Sequence, residues 1–190
     1  MQVHREIRFV SSNPHKIAEA KQILEPQYIE VVASEIKIEE IQTTDTLNLV
    51  HDKVLKAFSR IGRPLFVEHT GLYLEHLNGL PGGLTQIFWD SLKADKFAEL
   101  FGKLAPNHNV IARTAIAYCD GQKIHDFKGE IEGEIAPAPR GNRDFQWDCV
   151  FQPKGQKLTC AEMGEKKNEI SMRRIALDSF ASHLARMLQS

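Results

Sequence analysis

Three observations predict an α/β fold built on a mixed sheet. Strand-like and helix-like apolar patterns are interleaved along most of the chain. Two long β-rich runs, residues 110–119 and 123–135, flank Asp120-Gly121, a hairpin signal that makes one strand pair antiparallel. The chain has 190 residues and 42% hydrophobic content, enough for one core-bearing domain or two lobes sharing a sheet. No repeat, low-complexity segment or linker interrupts it.

The elements follow in order. Residues 6–12 carry Ile-Arg-Phe-Val and end in small polar residues, a first strand. Asn13-Pro14 then opens a helix, with Asn13 as N-cap and Pro14 at the first helical position. Ile17, Ala20, Ile23 and Leu24 supply its apolar face. Residues 28–33 read as a second strand and residues 35–44 as an acidic, polar loop. A second helix starts at Thr44 or Asp45, with Leu47, Val50, Val54, Leu55 and Phe58 at helical spacing. Residues 64–67 predict a short buried strand; Leu72, Leu74 and Leu77 predict a return strand or edge. Residues 78–83, rich in Gly with one Pro, predict a turn. A third helix is expected from about Thr85 to Gly102, and a loop over residues 137–143. The last helix is expected from Lys167 to Leu188, with Ile170, Ile175, Leu177, Phe180, Leu184 and Met187 on its apolar side.

Composition narrows the function classes. The net charge of -1 gives no global basic field, which disfavours a nucleic-acid-binding module. Any polyanion must meet a local cluster of Lys and Arg. Three widely spaced cysteines, Cys119, Cys149 and Cys160, fit neither a disulfide framework nor a Cys-rich zinc site. A reducing cytoplasm is the expected location. The short charged start lacks an apolar signal region, and no apolar run approaches membrane-spanning length, so no membrane partner is expected.

Four constellations bear on chemistry. Ser11-Ser12-Asn13-Pro14-His15-Lys16 places a polar turn and a lysine at a helix N-terminus, either an anion site or an ordinary cap with a solvated lysine. The acidic group Glu35, Glu39, Glu40 and Asp45 is either a Mg²⁺ site or a solvated loop face. Lys53 and Lys56 follow on one helix face, toward phosphates or toward water. Glu68-His69-Thr70-Gly71 sits at a strand end, where Glu68 could bind metal and His69 could take a proton from water, or both merely close a polar strand. Phe145 and Trp147, at period two, share a face if the segment is extended, as a stacking platform for a purine or as core. Asp148 then points the other way, and Arg140, Lys167, Arg173 and Arg174 flank the rings with positive charge.

In this order the motifs resemble the inosine triphosphate pyrophosphatase family, whose members hydrolyse purine nucleoside triphosphates such as ITP, dITP and XTP to the monophosphate and pyrophosphate. The resemblance runs from Phe9 to about Leu184. Ser11-Ser12-Asn13 with Lys16 is similar to its N-terminal phosphate motif, and Glu40-Ile41-Gln42 to its metal-binding turn. Glu68-His69-Thr70-Gly71-Leu72 with Gly79-Leu80-Pro81-Gly82 is similar to its central motif. Phe127-Lys128-Gly129, Pro139-Arg140-Gly141, Asp144 to Asp148, Ala161-Glu162-Met163 and Lys167-Asn168 with Ser171 and Arg173 resemble its base-binding half.

The resemblance implies an elongated α/β fold in which a long mixed sheet floors a cleft between two lobes, assembled as a homodimer. It implies Mg²⁺ as cofactor, held by Glu40 with Glu68 nearby. Lys16, Lys53 and Lys56 would then face the phosphates, and Ser11, Asn13 and Thr70 would also bind substrate. Phe145 would stack on the base, and Trp147, Asp148, Lys167 and Arg173 would line the nucleoside pocket. Glu68 or His69 would act on the attacking water.

Three positions depart from the family's pattern. His69 stands where the family has a second carboxylate, proposed to activate water. Gln146 replaces a glycine, with Cys149 in place of a following proline. Met172 replaces a histidine that helps read the purine six-position. Altered chemistry, a shifted base preference and a catalytically weak or inactive nucleotide-binding protein all remain open on this pattern.

Overall fold

The computed structural model of the protein describes residues 5–103 and 109–187. The expected helix end at Leu188 and the first four residues of the charged N-terminus lie outside the described residues. The described strands are β1 (Arg5–Val10), β2 (Ile29–Ser34), β3 (Leu65–Leu74), β4 (Pro81–Gly82), β5 (Val110–Cys119), β6 (Ile124–Ile135) and β7 (Phe151–Pro153). The α-helices are α1 (Pro14–Leu24), α2 (Thr46–Ile61), α3 (Thr85–Phe101), α4 (Cys160–Met163) and α5 (Met172–Met187). They build one mixed sheet in the order β2-β1-β3-β5-β6-β7, with β4 paired to β3. β1 runs parallel to β2 and β3, and every other pairing is antiparallel.

Local chemistry explains most of these boundaries. Asn13 Oδ1 accepts from the backbone N–H groups of His15 and Lys16 at 3.0 and 3.2 Å, which starts α1. Asp45 does the same for Leu47 and Asn48 at the head of α2. At the β5–β6 hairpin, Asp120 Oδ1 accepts from the N–H groups of Gln122 and Lys123, and Gly121 takes φ 103°.

Four expectations are corrected. β3 is one continuous ten-residue strand, not a short strand followed by a return, because β5 pairs with it from Leu65↔Cys119 to Leu74↔Val110. Gly71 lies within this strand and lets the Gly82 carbonyl approach where a Cβ would collide. α3 is broken at Lys93 (φ 56°, ψ 176°), and Trp89 and Phe97 pack 5.6 Å apart across the break. α5 begins at Met172, after a 3₁₀ segment Gly164–Glu169, because Ser171 Oγ accepts from Arg174 N–H at 3.0 Å as its cap. Leu47, Leu55, Ile170 and Ile175 are exposed, whereas Leu49 and Ala57 take the buried side of α2.

The core lies on both faces of the sheet. Phe66 points to the side covered by α1 and α5, where Phe9, Ile23, Leu177 and Phe180 gather. Leu65 and Val67, one residue away on either side, point to α2 with Leu49, Val50 and Val54. A third cluster joins α3 to the far ends of β3, β5 and β6 through Leu72, Phe97, Val110, Trp147 and Phe151. Among the described residues no helix is long and apolar enough to cross a membrane.

Candidate active site

The sheet leaves a notch. β1 pairs with β3 at Arg8↔Leu65 and Phe9↔Phe66, then departs into α1. β4 reaches the same edge of β3 only at Leu72↔Gly82 and Tyr73↔Pro81. Residues 67–71 of β3 therefore have no strand on that side among the described residues. A cleft of about 560 Å³ opens there, with His69 and Thr70 on its floor. Its walls are the Ser11–Asn13 turn with Lys16, the loop carrying Glu39 and Glu40 with Lys53 of α2, and Gln86 of α3 with Gln146. Ligand sites at the carboxyl ends of strands follow this pattern, since departing chains leave polar backbone and helix N-termini around a gap.

At the first wall, Asn13 Oδ1 already engages two of the free N–H groups of α1, and Pro14 has none. Lys16 is thus the main anion-attracting group, assisted by the helix dipole. Its Nζ lies 2.6 Å from Glu68 Oε1. Burial lowers the Lys16 pKa, and the Glu68 charge only partly offsets this.

Glu68 begins a buried chain of alternating charge. Its Oε2 accepts from Arg173 Nε at 2.9 Å. The Arg173 guanidinium also pairs with Glu19, Glu19 with Lys167 Nζ at 2.9 Å, and Lys167 with Asp148. Three cations and three carboxylates so link α1, β3, α5 and two 3₁₀ turns. Burial pushes the Glu68 carboxyl up, but Arg173 and Lys16 outweigh it and hold the group well below the usual carboxylate range. Glu19 is held down likewise, against its burial, by Arg173 and Lys167. Asp148 goes the other way, because its burial outweighs Lys167. Burial alone would lower Lys167, but Asp148 and Glu19 together raise it.

On the second wall Glu40 Oε1 accepts from Lys53 Nζ at 2.6 Å, and Oε2 faces His69 Nδ1 at 3.5 Å. Burial raises the Glu40 pKa, yet His69 and Lys53 bring it down to about 2. His69 Nε2 donates to the Gly83 carbonyl at 3.1 Å, which leaves Nδ1 on the Glu40 side. Lys53 Nζ also lies 3.5 Å from the Glu68 carbonyl, on the unpaired edge of β3. Thr70 Oγ1 bonds Thr114 at 2.7 Å and sits 3.4 Å from Glu68 Oε2.

Other candidates separate from this group. Lys56 pairs with Asp52 and the Glu39 carbonyl and does not line the cleft. Glu35 is exposed and Asp45 is the α2 cap. Arg140 engages Gln152 and Glu162, and Arg174 engages Asp178, both away from the cleft. Phe145 and Trp147 do not share a face, which corrects the extended reading: Gln146–Cys149 is a 3₁₀ turn entered at φ 39°. Trp147 is buried against Phe151, whereas Phe145 is half-buried with Lys167 Nζ 4.3 Å over its ring.

The Ham1 family pattern matches residues 7–183. The chain belongs to the Ham1 family. It is 36% identical over 185 residues to the dITP/XTP pyrophosphatase of Thermococcus kodakarensis, covering 96% of this chain and 99% of that protein. It is 33% identical over 192 residues to the inosine triphosphate pyrophosphatase of Saccharomyces cerevisiae, covering 95% and 96%. A solved structure of a HAM1 protein from Coxiella burnetii matches with a TM-score of 0.80 at 25% identity, covering 96% of this chain and 99% of the other.

Two residues tied to this site were not singled out by the sequence, one in the buried charge chain and one on the cleft wall. Glu19 is buried between Arg173 and Lys167, and its one sequence signal is its place three residues after Lys16 on the same helix. Gln86 follows Thr85, whose Oγ1 accepts from Leu72 N–H at 2.8 Å and donates to the Gly82 carbonyl at 2.6 Å. That hydroxyl fixes the start of α3 at the cleft, and nothing local in the sequence announced it. Met172, where the family resemblance puts a histidine, is buried in the third core cluster.

Proposed function

We propose that this Ham1 family member hydrolyses non-standard purine nucleoside triphosphates (ITP, dITP and XTP) to the monophosphate and pyrophosphate. The observation that carries the reading is the convergence of Lys16, Lys53 and Glu40 on one cleft, whose third wall includes Gln146, the chain neighbour of Phe145. Two ammonium groups suit a triphosphate, and a half-buried ring with cations beside it suits a base.

The acidic groups fit a divalent cation that arrives on the nucleotide. Among the described residues no cluster of three potential ligands stands ready, but Mg²⁺ takes one or two carboxylates and completes its shell with phosphates and water. Glu40 is the carboxylate that would hold it. Glu68 is the second candidate, although Lys16 and Arg173 occupy both its oxygens and Lys16 would have to move to the phosphates first. Bound there, Mg²⁺ supplies charge neutralisation to the triphosphate.

The chain's own groups divide the remaining work. Ser11, Asn13 and Thr70 border the phosphate side, and Lys16 and Lys53 neutralise it. A water oxygen bonds to the α-phosphorus, the bond to the α–β bridging oxygen breaks, and pyrophosphate leaves with that electron pair. The water's proton passes to His69 Nδ1, because the Nε2 proton is held on the Gly83 carbonyl. Glu68, held far below the usual carboxylate range, is a weak base and serves to orient Lys16 and Arg173. Lys167, Asp148 and Arg173 hold the base side, with Trp147 as the core anchor behind Asp148.

The test is pyrophosphate release with Mg²⁺ from ITP, dITP, XTP and the four common nucleotides. Selective turnover of the first three is expected, and equal or absent turnover of them sinks the reading. A second reading, a nucleotide-binding protein without turnover, is favoured by one observation: His69, with Nε2 tied to the Gly83 carbonyl, stands where the resemblance puts a carboxylate. Substituting His69→Asp separates them, since a histidine in use loses rate and a decayed site gains it. The expected assembly is a cytoplasmic homodimer folding as one unit, checked by sedimentation and by a single cooperative melt.

A further inference from the structure

We propose that Glu40 and His69 form a two-point seat for a borderline divalent ion of the zinc or cobalt class, and that such an ion blocks turnover. The seat rests on geometry alone; the block rests on the activity proposed above. Both side chains line the cleft. His69 is only 6% exposed on β3, and Glu40 comes from the loop ahead of α2.

The tautomer of His69 fixes what the ring offers. A carbonyl oxygen only accepts, so the 3.1 Å bond to Gly83 places a proton on Nε2. In the neutral ring Nδ1 then carries a lone pair, and it faces Glu40 Oε2 at 3.5 Å. Lys53 holds the other carboxylate oxygen, Oε1, at 2.6 Å, so Oε2 is left for a second partner. An acceptor facing an acceptor is repulsive, and a positive species between them makes the pair favourable. A proton can fill that role, and so can a metal ion.

The seat is pre-set by its surroundings. Histidines that bind metal commonly donate their other N–H to a backbone carbonyl, which fixes the ring and aims the free lone pair. His69 shows that pattern. Its anchor is itself tied to the loop that brings Glu40, because Gly83 N–H donates to the Thr44 carbonyl at 2.9 Å. A Cβ at Gly83 would collide with the Thr43 carbonyl, so only glycine allows this approach.

Spacing and donor type choose the ion. Zinc holds nitrogen and oxygen ligands at about 2.0–2.2 Å, and two tetrahedral ligands at that length lie about 3.4 Å apart. Neighbouring ligands of octahedral Mg²⁺ lie about 2.9 Å apart. The observed 3.5 Å suits the first without closing the pair. Imidazole nitrogen favours zinc, copper and nickel, whereas magnesium prefers oxygen. Among the described residues no group of three potential ligands stands ready, so water or a phosphate oxygen completes the shell. The seated ion takes up the lone pair that accepts the water's proton and the carboxylate that holds Mg²⁺. The two metals therefore compete, and the softer one stops the reaction.

Titration with Co²⁺ in the absence of nucleotide, followed by visible absorption, tests the seat, since tetrahedral cobalt absorbs far more strongly than the octahedral aqua ion. Wild type should show one saturable tetrahedral band that persists in excess Mg²⁺. Glu40→Gln and His69→Ala should each weaken binding on the order of 100-fold, the upper end of what losing even a ligand's hydrogen-bond partner costs. Glu40 is partly exposed, so Glu40→Gln keeps the test valid if the buried His69→Ala fails to fold, and matched thermal melts verify both. A wild type without the band, or a band that both variants keep, overturns the seat; in the second case the ion sits at another histidine. With Mg²⁺ and ITP, saturating Zn²⁺ should lower pyrophosphate release on the order of 100-fold, the usual share of a general base, and EDTA equimolar to the Zn²⁺ should restore it. An undiminished rate beside an intact band overturns the block alone. A wild type silent on ITP, dITP and XTP overturns the proposed activity and the block with it, while the band still decides the seat.

Discussion

The two sides of the cleft are built on different principles. On the side proposed for the phosphates, Lys16, Lys53, Glu40 and His69 sit on or beside long elements (α1, α2 and β3) and each cation faces a carboxylate in a short-range pair. On the side proposed for the base, Phe145, Gln146, Asp148 and Lys167 sit on or next to two 3₁₀ turns that have little regular pairing of their own. Those turns are tied down by side chains: Trp147 in the core and the charge chain that reaches Arg173, Glu19 and Glu68. A triphosphate is the same in every substrate and suits a rigid cradle. A base varies, and turns can change contact residues without disturbing a ladder.

Arg173 joins the two sides, so its loss should give the largest effect. Arg173→Met leaves Glu68 and Glu19 buried with one partner fewer, and should lower stability by about 3–5 kcal/mol. The midpoint of urea unfolding measures it; a change below about 1 kcal/mol would show that the chain of charges does not connect the halves. Lys53→Ala touches only the phosphate side. It should cost about 100-fold in kcat/KM with the ITP-to-ATP ratio unchanged; a shifted ratio would erase the division drawn here.

Acid should reach the two walls differently. Glu40 is lowered from 4.5 to about 2, so the stability it contributes is fully present above about pH 5. That contribution fades as pH falls from the unfolded value through the folded one. Discounted for its partial exposure, it amounts to ~1 kcal/mol. In Glu40→Gln the thermal melt should depend less on pH between 5 and 2 than in wild type. An unchanged profile there would place the acid sensitivity elsewhere. The smallest effect belongs to the base side: Gln146→Gly removes a left-handed strain but adds unfolded-state freedom, for a net stabilisation of ~0.5 kcal/mol. A loss of more than about 1 kcal/mol would mean that the side-chain bond from Gln146 to Gln86 holds the turn.

Local signals carried most of the fold into view. Asn13-Pro14, Asp45 and Asp120-Gly121 each act within four residues, so their helix starts and hairpin are readable from sequence. Ser171 was an equally local cap, yet the lysines before it have helix-forming tendencies that hid it. Gly71 was unreadable for a different reason: its purpose is the close approach of Gly82, a contact that no short window contains. In the site, residue types pointed to Lys16, Lys53, Glu40 and His69, and the fold brings these four to one cleft. Glu19 stayed hidden because its partners Lys167 and Arg173 arrive from the other end of the chain. The shared face of Phe145 and Trp147 was misread because period two holds only for extended backbone, and the turn at Gln146 rotates Trp147 into the core.

The notch in the sheet has one more consequence. Between Phe66 and Leu72, β3 has a paired edge toward β5 and a bare edge toward the cleft. A nucleotide in the cleft would shield that bare edge from solvent while leaving the β5 side as it was. The backbone amides of residues 67–71 thereby become a built-in occupancy meter. In hydrogen–deuterium exchange, those facing the notch should slow when nucleotide is added, while their alternating neighbours keep their rates.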